Sequence, residues 1–314
     1  MQTYFTRANA LKFSFVILAL MCALPFVVAP VALALGFLFT LVFGNPMPRF
    51  TSKTTSWLLK ASVVGLGFGM NVYEALSSGK EGFVLTIFSI SLVLVLGYFL
   101  GRVLGINKRM AYLVSSGTAI CGGSAIAAVA PAINAKSEEI SISLGVVFLL
   151  NSIALVIFPM LGHFFNLSQY EFGLWSAIAI HDTSSVVGAA ATYGDEALMV
   201  ATCVKLTRAL WIIPISIMSV FLFRSKTKKI SIPWFIFMFV GAMCLNSFVN
   251  LGSLSAHIYS LSKSMLVVTL FLIGSSISLA ALKTTGFRPI VLGVSLWIVI
   301  SVVSLLAITN LSFR

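Results

Sequence analysis

His181-Asp182-Thr183-Ser184-Ser185 stands in the middle of an apolar run of about 172–193, and Lys205-Leu206-Thr207-Arg208 follows inside the next run. A second interruption, Gly117-Thr118-Ala119-Ile120-Cys121-Gly122-Gly123-Ser124, divides an apolar run upstream. Charged and polar side chains are costly inside a bilayer, so their placement at mid-span requires a reason.

The surrounding sequence establishes the setting. Hydrophobic residues make up 59% and charged residues 9% of 314, and the mean hydropathy is +1.08. A soluble domain would carry about a quarter of its residues charged. The apolar stretches are continuous rather than alternating, which excludes a β-barrel. The reading is an all-α polytopic transmembrane bundle, a single domain over residues 1–314. A net charge of +12 would suggest nucleic acid in a soluble chain. Here the basic residues sit in short connectors, so nucleic acid is not an expected partner. Cys22, Cys121, Cys203 and Cys244 lie in apolar segments without CxxC or Cys/His spacing, which leaves no disulfide framework or zinc site and no expected cofactor.

Working outward, about eleven segments are predicted, near 12–28, 29–44, 57–76, 83–104, 111–133, 140–165, 172–193, 198–223, 233–250, 264–282 and 289–310. The first two form a hairpin rather than a cleaved signal peptide, because the apolar run continues directly into more membrane-type sequence. If each segment crosses once, Arg7/Lys12, Arg49/Lys53, Arg102/Lys108/Arg109, the Arg224–Lys229 run and Lys283/Arg288 share one side. Lys80/Glu81, Lys136/Glu138/Glu139, Asp195/Glu196 and Lys263 fall on the other. This asymmetry predicts a cytoplasmic N-terminus and an external C-terminus.

Internal repetition is visible as well. Gly67-Phe68-Gly69-Met70-Asn71 echoes Gly274-Ser275-Ser276-Ile277-Ser278, and by the crossing count the two segments run in opposite directions, as an inverted repeat requires. Residues 117–133 resemble 177–193, each a small-residue break followed by an Ala-rich half, but the same count makes those two parallel.

Paired glycines weaken a helix, and Ser124 is a good N-cap for a half-helix that follows. A half-helix beginning at mid-membrane aims free N–H groups and a positive dipole end inward, which suits an anion. The competing explanation is that small residues only let helices approach closely. Asp182 followed by Thr183-Ser184-Ser185 is a second N-cap signature, preceded by His181, which can titrate near neutral pH. Lys205 and Arg208 are three apart, on one helix face. Asp182 and Arg208 each fall roughly 15 Å deep at 1.5 Å per residue, near the centre of a core about 30 Å thick. An Asp182–Arg208 ion pair that only holds helices together is one reading. A net positive centre of two cations, one carboxylate and half-helix N-termini is the other. Asn71, Asn151, Asn246 and Asn250 are expected to make interhelical hydrogen bonds.

The three motifs Gly117–Ile133, His181–Val187 and Val204–Arg208, in that order, resemble the bacterial inner-membrane family of YeiH-type sulfate exporters, and the likeness spans nearly the whole chain. The resemblance implies kinship with the bile-acid, arsenite and riboflavin-type transporters, with inverted repeats and broken crossing helices. Residues and resemblance together point to a secondary transporter of a small anion such as sulfate, sulfite or an organosulfur anion. Cys121, Gly122, Gly123, Ser124, Thr183, Ser184, Ser185, Lys205 and Arg208 are the substrate-binding candidates. His181 and Asp182 are the candidates for proton or ion coupling. The implied partners are the anion, protons or sodium, and the lipid bilayer, and a homo-oligomer remains open. Two alternatives stand beside this: a cation/proton antiporter using Asp182, and a non-transporting membrane receptor or scaffold. An enzyme is not expected, because His181-Asp182 and the nearby serines lack the spacing of a catalytic triad.

Overall fold

Continuous apolar runs become long helices, and glycines, prolines and polar clusters set where they stop. The computed structural model of the chain describes residues 2–24, 27, 29–223, 234–249, 251–276 and 286–311. In order the helices are α1 (Gln2–Met21), α2 (Ala29–Phe43), α3 (Pro48–Leu66), α4 (Val72–Val103), α5 (Lys108–Ala119), α6 (Gly123–Ala132) and α7 (Ser137–Phe164). They continue as α8 (Gln169–Ala179), α9 (Thr183–Tyr193), α10 (Asp195–Ala209), α11 (Ile212–Leu222), α12 (Trp234–Phe248), α13 (Ser253–Ser276) and α14 (Phe287–Leu311). No strand occurs among the described residues. Stretches 85–103, 138–164, 195–222, 253–276 and 287–310 are long and apolar enough to cross a membrane. This is an all-α helical membrane bundle.

The helices cluster into two compact units, one of residues 1–72 with 234–278 and one of residues 73–233 with 279–314. In the first unit α2 lies directly against α13. A Cβ on Gly36 would fall 2.0 Å from the Phe271 carbonyl oxygen, and one on Gly274 would fall 2.2 Å from that of Leu33. Only glycine permits that backbone approach. Around it Phe15, Cys22, Ala32, Phe271 and Leu272 form an apolar core. The stretch Gly67–Asn71 interrupts the helices here. Backbone groups freed by the break are served by α12, where Asn246 donates to the Met70 carbonyl at 3.2 Å and Ser247 Oγ accepts from the Val72 N–H at 2.9 Å.

The second unit holds both motifs that opened the sequence reading. Here α8 packs on α10, and α7 lies against α5 and α9. The Trp175 ring stacks on Phe158 at 4.4 Å between centroids, and its indole N–H donates to the Ser301 carbonyl of α14 at 2.9 Å.

Several expected boundaries move. The connector anticipated near 77–82 is helical, because α4 runs unbroken through it. The chain breaks instead at Gly67–Asn71, whose glycines outweigh its apolar character. Lys80 and Glu81, both good helix formers, therefore lie within α4. Lys263 likewise lies within α13, which starts at Ser253 rather than near 264. The run 198–223 is divided by a turn at Leu210-Trp211. The Arg224–Lys229 run, Asn250, Ile277, Ser278 and Lys283 lie outside the described residues.

Candidate functional site

Both interrupted spans are discontinuous helices. In the first, α5 ends at Ala119, Ile120 and Cys121 leave the helix, and Gly122 takes φ +67°, ψ −125° before α6 begins. A side chain strains that conformation, and glycine does not. Gly122 is thus the N-cap, where Ser124 was expected. Ser124 lies within the first turn of α6 and is exposed. Gly122 has no side chain to offer as a cap, so the N–H groups of Gly123 and Ser124 are left open, while that of Ala125 meets the Cys121 thiol.

In the second, α8 ends at Ala179, and Ile180, His181 and Asp182 cross to α9 in extended conformation or as a bend. Asp182 is the N-cap that its sequence context predicts. Its carboxylate accepts from the N–H groups of Ser184 at 3.0 Å and Ser185 at 3.2 Å, and from the Ser184 hydroxyl. The two breaks lie side by side, since a Cβ placed on Gly122 would lie 3.4 Å from Cα and Cβ of Asp182. At this junction Gly123, Asp182, Thr183 and Ser184 are half-buried, whereas Cys121, His181 and Ser185 are buried.

A broken helix leaves backbone groups to be satisfied, and here most can be traced. In an unbroken α8–α9 helix the N–H groups of His181 and Asp182 would bond to the carbonyls of Ala177 and Ile178. Instead both donate to Asn151 Oδ1 of α7, at 3.1 and 3.2 Å. The freed carbonyls turn to α10. Ala177 accepts from Lys205 Nζ at 3.3 Å, and Ile178 accepts from Arg208 Nη1 at 2.7 Å. Lys205 Nζ also donates to Ile180 at 2.7 Å and to Ile120 of the other break at 3.1 Å. Arg208 Nε donates to Ala119 at 2.7 Å. Each cation therefore joins both broken helices, and each is 0% exposed.

The charges are sorted by helix polarity. The C-terminal ends of α5 and α8, where a helix dipole is negative, hold Lys205 and Arg208. The N-terminal ends of α6 and α9, where it is positive, meet at the half-buried face, one capped by Asp182 and the other open. No Asp182–Arg208 ion pair forms, because Arg208 donates to backbone carbonyls while Asp182 accepts from the first turn of α9. Several polar atoms behind the junction have no protein partner: both ring nitrogens of His181, Nη2 of Arg208 and Nδ2 of Asn151. Asn151 is the residue whose importance the sequence understated, since nothing near it in the chain marks the break it supports. Among the described residues no cluster of His, Cys, Asp and Glu is arranged to hold a metal ion.

Fold and site together define a polytopic helical membrane protein built around two discontinuous helices that meet at their breaks. The chain belongs to the family described as conserved hypothetical protein 698, which it matches over residues 11–293. It is 53% identical to a UPF0324 membrane protein of Bacteroides thetaiotaomicron over 89% of this chain and 86% of that one. A UPF0324 membrane protein of Photobacterium profundum is 51% identical, over 97% and 94% of the two chains. One from Vibrio parahaemolyticus is also 51% identical, over 91% and 94%. No solved structure matches it.

Proposed function

We propose that this protein is a secondary active carrier of a small anion (sulfate, sulfite or an organosulfur anion) in the bacterial cytoplasmic membrane. Its N-terminus faces the cytoplasm and its C-terminus the outside. It works as a carrier rather than an enzyme, needs no cofactor, and couples to protons. The observation that carries this reading is the open N-terminus of α6 beside the capped N-terminus of α9, on a half-buried face. Free N–H groups at a positive helix end bind anions, and the Thr183 hydroxyl adds a donor at the same place, while the Ser184 hydroxyl reaches the anion only by leaving Asp182. Ser124 serves the same face, while Cys121, Gly122, Gly123 and Ser185 shape it. Lys205 and Arg208 set the positive potential from behind and hold the breaks in register. His181 and Asp182 are the groups placed to exchange a proton as the anion moves.

The cation/proton antiporter reading makes Asp182 the ion carrier. Against it, the carbonyl ends that hold cations in broken-helix transporters are here engaged by Lys205 and Arg208. The separating experiment uses proteoliposomes, radiolabelled sulfate and sulfite, an imposed pH gradient, and the variant Asp182→Asn. Asparagine still caps a helix but carries no charge. Anion flux that an imposed anion gradient still drives in Asp182→Asn supports the carrier proposed here. Sodium-driven proton movement that needs Asp182, with no anion flux, establishes the antiporter instead. Absence of both fluxes from monodisperse, correctly inserted protein leaves the receptor or scaffold reading.

A further inference from the structure

Lys205 is a buried cation with no carboxylate hydrogen-bonded to it. An ammonium has three N–H donors, and all three here go to backbone carbonyls, those of Ile180, Ile120 and Ala177 at 2.7, 3.1 and 3.3 Å. Those oxygens belong to the C-terminal ends of two different half-helices, so dipole ends rather than a counter-ion hold the charge. Converging carbonyl oxygens are also how proteins replace the hydration shell of a bare monovalent cation. In transporters with discontinuous helices the unwound carbonyls hold coupling ions.

We propose that Lys205 is the resident cation of a backbone-carbonyl site shaped for a monovalent ion, and that the site takes a free ion of ammonium size once this side chain is removed. The wild-type protein keeps its own charge there and exchanges none with the bath. Potassium is close to ammonium in size, so the vacated oxygens suit potassium and ammonium best. Sodium requires them to close in, and lithium more so. Arg208 is the internal contrast. Its guanidinium meets Ala119 and Ile178 through two separate N–H groups, Nε and Nη1, each at 2.7 Å. A spherical ion does not reproduce a planar group that serves two separate carbonyls through two different nitrogens. This inference concerns the breaks themselves and holds whichever solute is carried.

The test is thermal unfolding of the purified full-length protein, titrated with KCl, NaCl or LiCl against N-methylglucamine chloride at constant ionic strength. Three variants are compared with wild type: Lys205→Ala, which opens the space, Lys205→Met, which fills it without charge, and Arg208→Ala. Wild type is expected to be indifferent to the cation. Lys205→Ala is expected to unfold earlier in N-methylglucamine and to regain about 5 °C or more with potassium, saturably. Sodium should act more weakly and lithium least, and Lys205→Met and Arg208→Ala should not respond. A readout of stability keeps this outcome separate from any failure to see anion flux. The proposal is overturned if folded Lys205→Ala ignores potassium, or if it is lost in every salt, because a receptive site would have refilled. Equal recovery of Arg208→Ala overturns it as a general salt effect. So does a saturable potassium or sodium response of wild type that persists in Lys205→Met.

Discussion

Gly122 of the first break faces Asp182 of the second, and a Cβ on Gly122 would stand 3.4 Å from both Cα and Cβ of Asp182, in van der Waals contact. The same Cβ would lie 3.3 Å from Val147 Cγ1, on a residue whose φ is +67°. Gly122→Ala therefore costs mainly through backbone strain, since those separations are close to ordinary contact, and a loss of about 1–2 kcal/mol is expected. Its neighbour behaves differently. Gly123 is the first helical residue of α6 with an ordinary helical backbone, and a Cβ there would stand 3.0 Å from the ring of Phe148, which is 50% exposed and free to yield by a few tenths of an ångström. Gly123→Ala should unfold close to wild type. Equal losses from the two variants in a thermal melt would remove the special status given to Gly122.

Asn151 supports the other break from α7 by accepting the N–H groups of His181 and Asp182 through a single oxygen. Asn151→Leu keeps the bulk and deletes the acceptor, leaving the buried N–H of His181 and the half-buried N–H of Asp182 without a partner. The expected loss is about 1–3 kcal/mol, allowing for the modest average worth of hydrogen bonds inside membranes. Asn151→Asp retains an acceptor and should recover much of that loss. Unfolding midpoints of the two variants in one detergent check this. A leucine variant as stable as wild type would mean that the Asn151 oxygen does not hold this break.

The positions of both breaks were legible in the sequence because they are written in side chains. Gly122-Gly123 cannot hold a helix well, and Asp182 with two serines behind it caps one. What Lys205 and Arg208 do was not legible. Their partners are carbonyls of Ala119, Ile120, Ala177, Ile178 and Ile180, and a backbone acceptor leaves no mark in composition or spacing. The sequence offered Asp182 as the obvious counter-charge, yet that carboxylate is engaged by the helix it caps. Polarity also misled at Lys80-Glu81 and Lys263, where charged residues continue a helix rather than end it. The reverse held at Gly67–Asn71, where an apolar stretch conceals a break.

Gly274 and Gly36 set the spacing of α2 and α13 in the first unit. Each lies where a Cβ would overlap a carbonyl oxygen of the facing helix, at 2.2 and 2.0 Å. Neither helix can yield without losing the bonds that Thr40 and Asn45 make to the Ser275 carbonyl, at 2.9 and 3.1 Å. Gly274→Val should therefore destabilise by roughly 3 kcal/mol or more, in the upper range of single substitutions. Gly241, with nothing near its missing Cβ, is the matched control, and Gly241→Val should be nearly silent. Comparing the yield of monodisperse protein and the melting midpoint of both variants decides it. A Gly274→Val protein as stable as the control would mean the helices are not held at this distance.

Arg208 ties Ala119 to Ile178 across the two breaks, one N–H group to each. Arg208→Lys keeps the charge but presents a single compact head in place of a rigid fork, so one of the two carbonyls loses its donor. That loss should be about 1–3 kcal/mol. Arg208→Met removes charge and donors together and leaves both carbonyls unserved, at about twice that cost. Part is returned because a charge no longer has to be desolvated. The expected order is wild type, then Arg208→Lys, then Arg208→Met, by melting midpoint. Amide exchange should locate the opening at Ala119–Gly123 and Ile178–Ser184 rather than along α10. A methionine variant as stable as wild type, with those amides still protected, would show that the breaks hold without the tie.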